Sequence, residues 1–352
     1  MFKKLLLILA ALILLVGVFG CSRAGTNGLI SAQTSSVQDM YGRTLVVPED
    51  IEHIISTGSL EMLMALMIAP EKLLGLNFAP NGSFLSNEYL SLPIVGGWFG
   101  KQSGNYEEFI KLNPDIIIEG RENALEERQE NFGSIPVIGL QTGTTIRDYS
   151  EAMRFLGELL NKEHETGKLL DYYEQALTFA DDVRESITGD KKIKVYYAEG
   201  NKGLSTDPSG SAHTELIDLC GGRNVADVSL AGGYGMVEVS MEQVLMWDPD
   251  IIIIGRASQS DLYNTIVNDP GWQQLRAVQE EKVFVRPEEP FSWFDGPTGP
   301  NQVIGIYWTV YKLYPDRISL DELKEKVTEF YQLFYHYDLS EQELSSLLDN
   351  DS

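Results

Sequence analysis

Two arginines, Arg121 and Arg256, close near-identical phrases: "LNPDIIIEGR" over residues 112–121 and "WDPDIIIIGR" over residues 247–256, 135 residues apart (256 − 121). A guanidinium presents a planar fork of donors that fits carboxylates and other oxyanions, so a matched pair suits an anionic ligand. The competing reading is that each arginine caps a strand end or pairs with a nearby carboxylate such as Glu122. Aromatic residues add a second chemistry. Trp98 and Lys101 lie in "GGWFGKQSG", Tyr234 in "AGGYGM", and Trp293 and Asp295 in "FSWFDGPTGP". Rings on glycine-flanked loops can stack on a flat or apolar chelate, or can plug the core beneath. Phe99 and Phe291 are assigned to the core; Trp98, Tyr234 and Trp293 are assigned to a ligand cleft. His213, in "GSAHTEL", can reach that cleft or hydrogen-bond locally.

Other chemistries are thinly represented. The four histidines, His53, His164, His213 and His336, are far apart, and no two share a helix at ligand spacing. The expectation is therefore no protein-built metal site and no cofactor, with any metal already wrapped in a chelator or oxyanion. No P-loop, nucleophile elbow or Cys–His pairing is present, which argues against an enzyme. A formal net charge of −25 over 352 residues excludes nucleic acid as a partner. Cys220 precedes Gly221-Gly222 at the end of an apolar stretch and reads as a small buried hydrophobe.

The elements that position the arginines repeat with them. Glu107 and Glu242 each stand seven residues before the proline of the phrase. Asn105 with Glu108, and Ser240 with Gln243, have the spacing of capping boxes, so a short helix opens at each place. Pro114 and Pro249 close those helices, because proline disfavours helix in the residue before it. The Asp-Ile-Ile-Ile run that follows reads as a strand buried on both faces, hence a parallel sheet covered by helices. A weaker echo links "GSLEMLMALMIAPEKLLGL" around Glu61 to "GSAHTELIDLCGGRNV" around Glu215. The chain thus contains two similar α/β units. In such open sheets ligands sit outside the carboxyl ends of the strands, which is where both arginines fall. Between the units Met153, Leu156, Leu159, Leu160, Leu169, Leu170, Tyr173 and Leu177 follow helical spacing without a proline, predicting a stiff connector whose long helix spans about Lys162 to Ile187.

The start of the chain has a basic "MFKK" followed by an apolar run from Leu5 to Phe19 and "VFGC" at residues 18–21. That run is short for a membrane span and right for a signal peptide. The polar, Gly/Ser/Thr-rich stretch from Ser22 to Ser36 reads as a flexible tether.

A lipoprotein-type signal ending at Cys21, the opening "VQDMYGRTLVVPEDIEHII", paired "E…PDIII" segments, a helical connector, and the closing "YWTVYKLYPD" and "FYQLFYHYDLSEQEL" together resemble the substrate-binding proteins of ABC importers for iron–siderophore complexes, haem and cobalamin. The resemblance implies an α/β fold of two Rossmann-like parallel-sheet lobes joined by a long helical connector, with a ligand cleft between them. It implies a signal peptide over 1–20, a lipidated Cys21 and tether over 21–36, one lobe over 37–147, the connector over 148–190, and a second lobe over 191–348. It implies lipid anchoring at the outer face of the cytoplasmic membrane, on the cell surface or in a periplasm, and an ABC permease with its ATPase as partners. It carries docking onto permease arginines to Glu107 and Glu242. The expected cargo is a metal chelate, an iron–siderophore complex or haem. Alternatives are cobalamin, a small metal oxyanion or a nickel complex, and, more distantly, a chelatase-like enzyme on a related fold or a surface adhesin.

Overall fold

The computed structural model describes residues 33–348, apart from residues 83, 100–101, 188–190, 230–235, 256–260 and 297. Cys21, Lys101, Tyr234 and Arg256, singled out above, lie outside the described residues. Among the described residues no helix is long and apolar enough to cross a membrane.

The described chain opens with an antiparallel hairpin, β1 (Thr34–Gln38) and β2 (Thr44–Pro48). Asp39 organises its turn. The carboxylate accepts the backbone N–H groups of Tyr41, Arg43 and Gly139, and pairs with the Arg43 guanidinium at 2.6 Å. Three parallel strands then form the first sheet, in the order β3 (Ile54–Ser56), β4 (Ile116–Glu119) and β5 (Val137–Gly139). Helices α1 (Ser59–Ile68), α2 (Asn87–Leu90), α3 (Tyr106–Lys111) and α4 (Leu125–Phe132) connect and cover it. The β4 isoleucines alternate: Ile116 and Ile118 join the central core, while Ile117 joins an outer cluster with Phe109, Leu125 and Phe132. An unbroken β-branched run is stable here because both faces of the sheet are covered.

Helices α5 (Tyr149–Leu159) and α6 (Glu163–Ser186) follow, the second of 24 residues and close to the expected span. Beyond them come β6 (Lys194–Ala198), β7 (Ser205–Thr206), β8 (Arg223–Asn224), β9 (Val237–Glu238), β10 (Ile251–Ile254) and β11 (Val283–Val285). Four of these make the second sheet, all parallel, in the order β11-β10-β6-β8. Strands β7 and β9 pair separately and antiparallel. Ile251 and Ile253 face the central core and Ile252 and Ile254 the other side, repeating the arrangement of β4. The helices of this part are α7 (Glu215–Leu219), α8 (Met241–Trp247), α9 (Asp261–Asn268), α10 (Arg276–Gln279), α11 (Gln302–Leu313), α12 (Leu320–Phe334) and α13 (Glu341–Leu348). One apolar cluster runs through α1, α5, α6, α11 and α12 and takes in the inner faces of both sheets. Cys220 lies in it, fully buried, with its thiol pushed up by burial.

The repeated phrase is repeated in structure, with one difference. Ser240 opens α8 with a complete capping box: its hydroxyl accepts the Gln243 N–H at 3.3 Å, and the Gln243 side chain accepts the Ser240 N–H at 2.9 Å. Asn105 caps α3 by accepting the Glu107 N–H at 3.0 Å, but the expected box does not close. Glu108 reaches forward instead, to Lys111 one turn on at 2.6 Å. Ahead of each proline the backbone turns left-handed, with φ +52° at Asn113 and +44° at Asp248. Asn and Asp tolerate that region better than other side chains. Asp115 then accepts the N–H groups of Glu52 and His53, and Asp250 accepts that of Lys194, so each strand entry is tied to its neighbour in the same way.

Candidate functional site

The end of β4 carries the first polar cluster. Glu119, almost fully buried, accepts the Arg121 backbone N–H at 2.9 Å and its Nε–H at 3.2 Å, and faces Arg128 Nε at 3.2 Å. Two guanidiniums therefore share one carboxylate. Arg128 is buried, whereas the Arg121 side chain is 48 % exposed. Arg121 is thus paired with the carboxylate of its own strand end, Glu119, and not with Glu122. Next to this cluster Glu61, in the first turn of α1, is buried against Gly58 and Gly120. A Cβ on Gly120 would lie 1.7 Å from Glu61 Oε1, so glycine at the strand end is what admits the carboxyl. Burial pushes Glu61 up to about 7; the Glu119 charge adds to this, and Arg121 and backbone N–H groups oppose it.

The end of the second sheet carries a different set. Glu199 directly follows β6, Asp207 follows β7, His213 stands just before α7, Arg286 follows β11, and Asp295 lies on the segment leading to α11. Arg286 is fully buried between Asp295, at 3.1 Å from Oδ1, and Glu288, at 2.7 Å. Tyr197 donates its hydroxyl to Asp295 Oδ1 at 2.7 Å. His213 Nδ1 faces Asp295 Oδ2 at 3.4 Å. Ser211 donates its hydroxyl to Asp207 Oδ1 at 3.0 Å. Burial raises the Asp295 pKa, but the charge of Arg286 and the hydrogen bonds of His213 and Tyr197 outweigh it and hold the carboxylate below its usual range. Glu199 goes the other way: burial first, then the charge of Asp295 and a hydrogen bond with Asp207, keep it protonated well above the carboxylate range. Asp207, His213 and Asp295 each place one ligating atom within 4.8 Å of the others. Loops from the first sheet touch this segment: Asn81 N–H donates to the Pro290 carbonyl at 2.9 Å, and Phe78 meets Phe291 edge-on at 5.6 Å.

Arg121 thus stands at the end of the first sheet and His213 and Asp295 at the end of the second, while Trp98 and Trp293 are placed away from these polar clusters. Trp293 is fully buried in the central core, with its Nε1–H directed to the Tyr331 hydroxyl at 3.4 Å. Trp98 is half-buried on the outer side of the first sheet, packed at a tilt against Tyr106 at 4.6 Å and Phe109 at 5.3 Å, with the Arg128 guanidinium 4.2 Å from its ring. An aromatic and cation–π cluster satisfies both ring faces there. Phe291 is core, as expected, and Phe99 is half-buried. Glu107 and Glu242 are both exposed in the first turns of α3 and α8.

Sequence reasoning missed Glu61, Glu199, Asp207 and Arg286. Glu199 had a usable signal, since "YYAEG" ends an apolar run with Glu-Gly just as "IIIEG" does at Glu119. Asp207, in "STDPSG", had none. Three ligating residues remote in sequence, Asp207, His213 and Asp295, do converge, which the spacing of the histidines gave no sign of. A separate groove of ≈ 460 Å³ opens beside α6 and α7, lined by Arg147, Arg184, Ser211 and Glu215 among others, and contains none of the clustered carboxylates.

The model of a family described as "Periplasmic binding protein" matches residues 58–290, a span that includes strands of both sheets. The chain is 26 % identical over 291 residues to the molybdate-binding protein MolA of Haemophilus influenzae, covering 83 % of this chain and 72 % of that one. It is 22 % identical to the Fe(3+)-citrate-binding protein YfmC of Bacillus subtilis, covering 84 % and 93 %. Among solved structures, an ABC transporter solute binding protein from Sulfurospirillum deleyianum superposes with a TM-score of 0.78 at 30 % identity, over 89 % of this chain and 99 % of that one.

Proposed function

We propose, since this chain belongs to the periplasmic binding protein family, that it is the substrate-binding subunit of an ABC importer and that its cargo is a small metal chelate of the iron–siderophore type. The observation that carries the choice of cargo is the contrast between the two strand ends. One shares the single Glu119 carboxylate between Arg121 and Arg128; the other gathers Glu199, Asp207 and His213 about Asp295, which pairs with Arg286. A chelate presents both acid groups and a metal, and so suits a site of both characters. Haem loses support relative to compact chelates, because Trp98 and Trp293 are committed to packing and leave less aromatic surface for a large flat ring. A small metal oxyanion is the second reading, supported by the relative named for molybdate.

Delivery to the permease, with uptake driven by the partner ATPase, follows from the family role. Lipid anchoring through Cys21 is part of the same proposal; a single acyl chain holds membranes only marginally, so two or more are expected. A Cys21→Ala variant that still fractionates wholly with membranes removes the anchor.

Calorimetry with ferric citrate, a ferric siderophore, haem, cobalamin and molybdate tests the cargo. Saturable one-to-one binding of an iron chelate, weakened by Arg121→Ala by about 1.5–3 kcal/mol for a charge-assisted bond, is the expected result. Preference for haem or cobalamin over every small chelate overturns it.

A further inference from the structure

We propose that Ile110 and Met246 are apolar anchors of a two-point docking surface for the membrane-spanning permease. Glu107 and Glu242 orient the encounter, and the two apolar side chains hold it; this rests on reading the chain as the substrate-binding subunit of an importer. Met246 is the most exposed large apolar side chain among the described residues, at 76 %, and Ile110 is exposed at 42 %. Each stands one turn beyond the acid of its own helix. With about 100° per residue, Ile110 lies about 60° around α3 from Glu107, and Met246 about 40° around α8 from Glu242. Acid and apolar chain therefore share one face of each helix. Phe109 and Val244, both fully buried, point the opposite way and fix those faces outward.

Apolar side chains exposed singly are ordinary on a protein surface. Two observations set this pair apart. First, the two copies reach the same surface by different residues. The counterpart of Ile110 in α8 is Leu245, which packs on the outer cluster of the second sheet, and the counterpart of Met246 in α3 is Lys111, which is tied to Glu108. Duplication of the phrase alone does not place an apolar chain outside; each copy does so separately beside the same acid. Second, both helices start at the ligand-side edges of their sheets. Tyr106 donates to Glu127 in the first turn of α4, just past the end of β4. Strand β9, just ahead of Ser240, pairs with β7, whose Ser205 bridges to Glu199 at the end of β6. A partner seated on both helices borders the carboxyl edges of both sheets, where a ligand enters and leaves. Such a partner is broad and offers basic groups beside apolar recesses, with apolar contacts, methionine among them, inside a charged rim. A second copy of this chain, with its net charge of −25, or an anionic membrane would meet the acids with like charge.

Contact is tested in intact cells with a photocrosslinking amino acid in the full chain, in place of Ile110, of Met246 or, as a control, of the exposed Val46 on β2. Mass spectrometry should find a membrane-spanning ABC importer subunit joined to positions 110 and 246 and not to 46. Adducts with a second copy of the chain or with lipid alone, or the same adduct from all three positions, overturn the docking surface. Strength is then measured as binding of the labelled full chain to vesicles holding that permease, at low and high NaCl. Ile110→Ser/Met246→Ser should weaken binding at least ~10-fold at both salt concentrations. Glu107→Ala/Glu242→Ala should weaken it chiefly at low salt, because screening removes what the acids contribute. Ile110→Val/Met246→Leu should bind as the parent does, and the melting temperature of the serine variant should equal the parent's, since both side chains are exposed. Parent-like binding by the serine variant, or a loss that vanishes at high salt, overturns the apolar anchors and leaves the receptor reading standing. A parent that binds ferric citrate but no ABC permease overturns both the anchors and the importer role.

Discussion

At the scale of single residues, ionisable groups that the core would ordinarily reject are buried beside the strand ends. Glu61 is the clearest case, buried against two glycines with its pKa raised to about 7. The folded chain keeps a proton there that an unfolded carboxyl, ionising near 4.5, gives up. Its contribution to stability is therefore fully present below pH 4.5 and is lost as pH rises through 7. At ~1.4 kcal/mol per unit the loss amounts to about 3 kcal/mol. Urea unfolding at pH 5 and pH 8 should show the parent losing stability across this window, and Glu61→Gln losing less by up to that amount. Equal pH slopes in the two proteins would exclude a buried neutral Glu61. Arg121 teaches a related point: a charge at a strand end first answers to the nearest carboxylate, here Glu119, and only its exposed remainder is open to a ligand.

At the scale of elements, the unit of construction is cap, short helix, left-handed turn, proline and buried strand, built once at α3–β4 and again at α8–β10. Glu107 and Glu242 are exposed at matched points of those helices. Acids near a helix start are stabilised by ~0.3–1 kcal/mol in their own right. The Glu242 backbone N–H, and after it the Ser240 hydroxyl, hold the Glu242 carboxylate below its usual range, in keeping with that local role. Local stabilisation does not explain why both copies carry the acid. We infer that the pair meets basic residues of the permease, orienting the encounter through charge. The double change Glu107→Ala/Glu242→Ala should leave ligand affinity unaltered and sharply reduce uptake in cells. Undiminished uptake would remove this assignment.

At the scale of the whole molecule, the central apolar cluster decides how far the two sheets can move. It includes Ile116 and Ile118 of the first sheet, Val195, Tyr197, Ile251 and Ile253 of the second, and the faces of α5, α6, α11 and α12 between them. Helix α6, 24 residues without a proline, is about 36 Å long at 1.5 Å per residue. The Tyr173 hydroxyl donates to the Ile146 carbonyl and ties α6 to the first part, and the Ile146 N–H donates to the Glu215 carboxylate and ties the first part to the second. Wide opening would expose this core, at ~25 cal/mol per Å² of apolar surface. Ligand binding should therefore change the radius of gyration in small-angle scattering very little, in contrast to hinge-type closure. A marked contraction on adding ligand would show that the connector bends.

Much of this architecture was legible in the chain itself, because its signals are local. Isoleucine runs, proline stops, cap residues and helical spacing act over a few residues, and the repeat of one phrase announced a second unit of the same kind. The open capping box at Asn105 shows the limit even there, since Lys111 competed for Glu108. The site was legible only in part. Arg121, His213 and Asp295 could be named from their surroundings, but a tryptophan in a loop rich in aromatics and proline looks the same whether its ring meets solvent or Tyr331, and Trp293 went to the core. Which carboxylates share a space is not written locally at all. Asp207, His213 and Asp295 stand on three separate segments, and only the parallel order β11-β10-β6-β8, with the loops it projects from one edge, brings them to a single point.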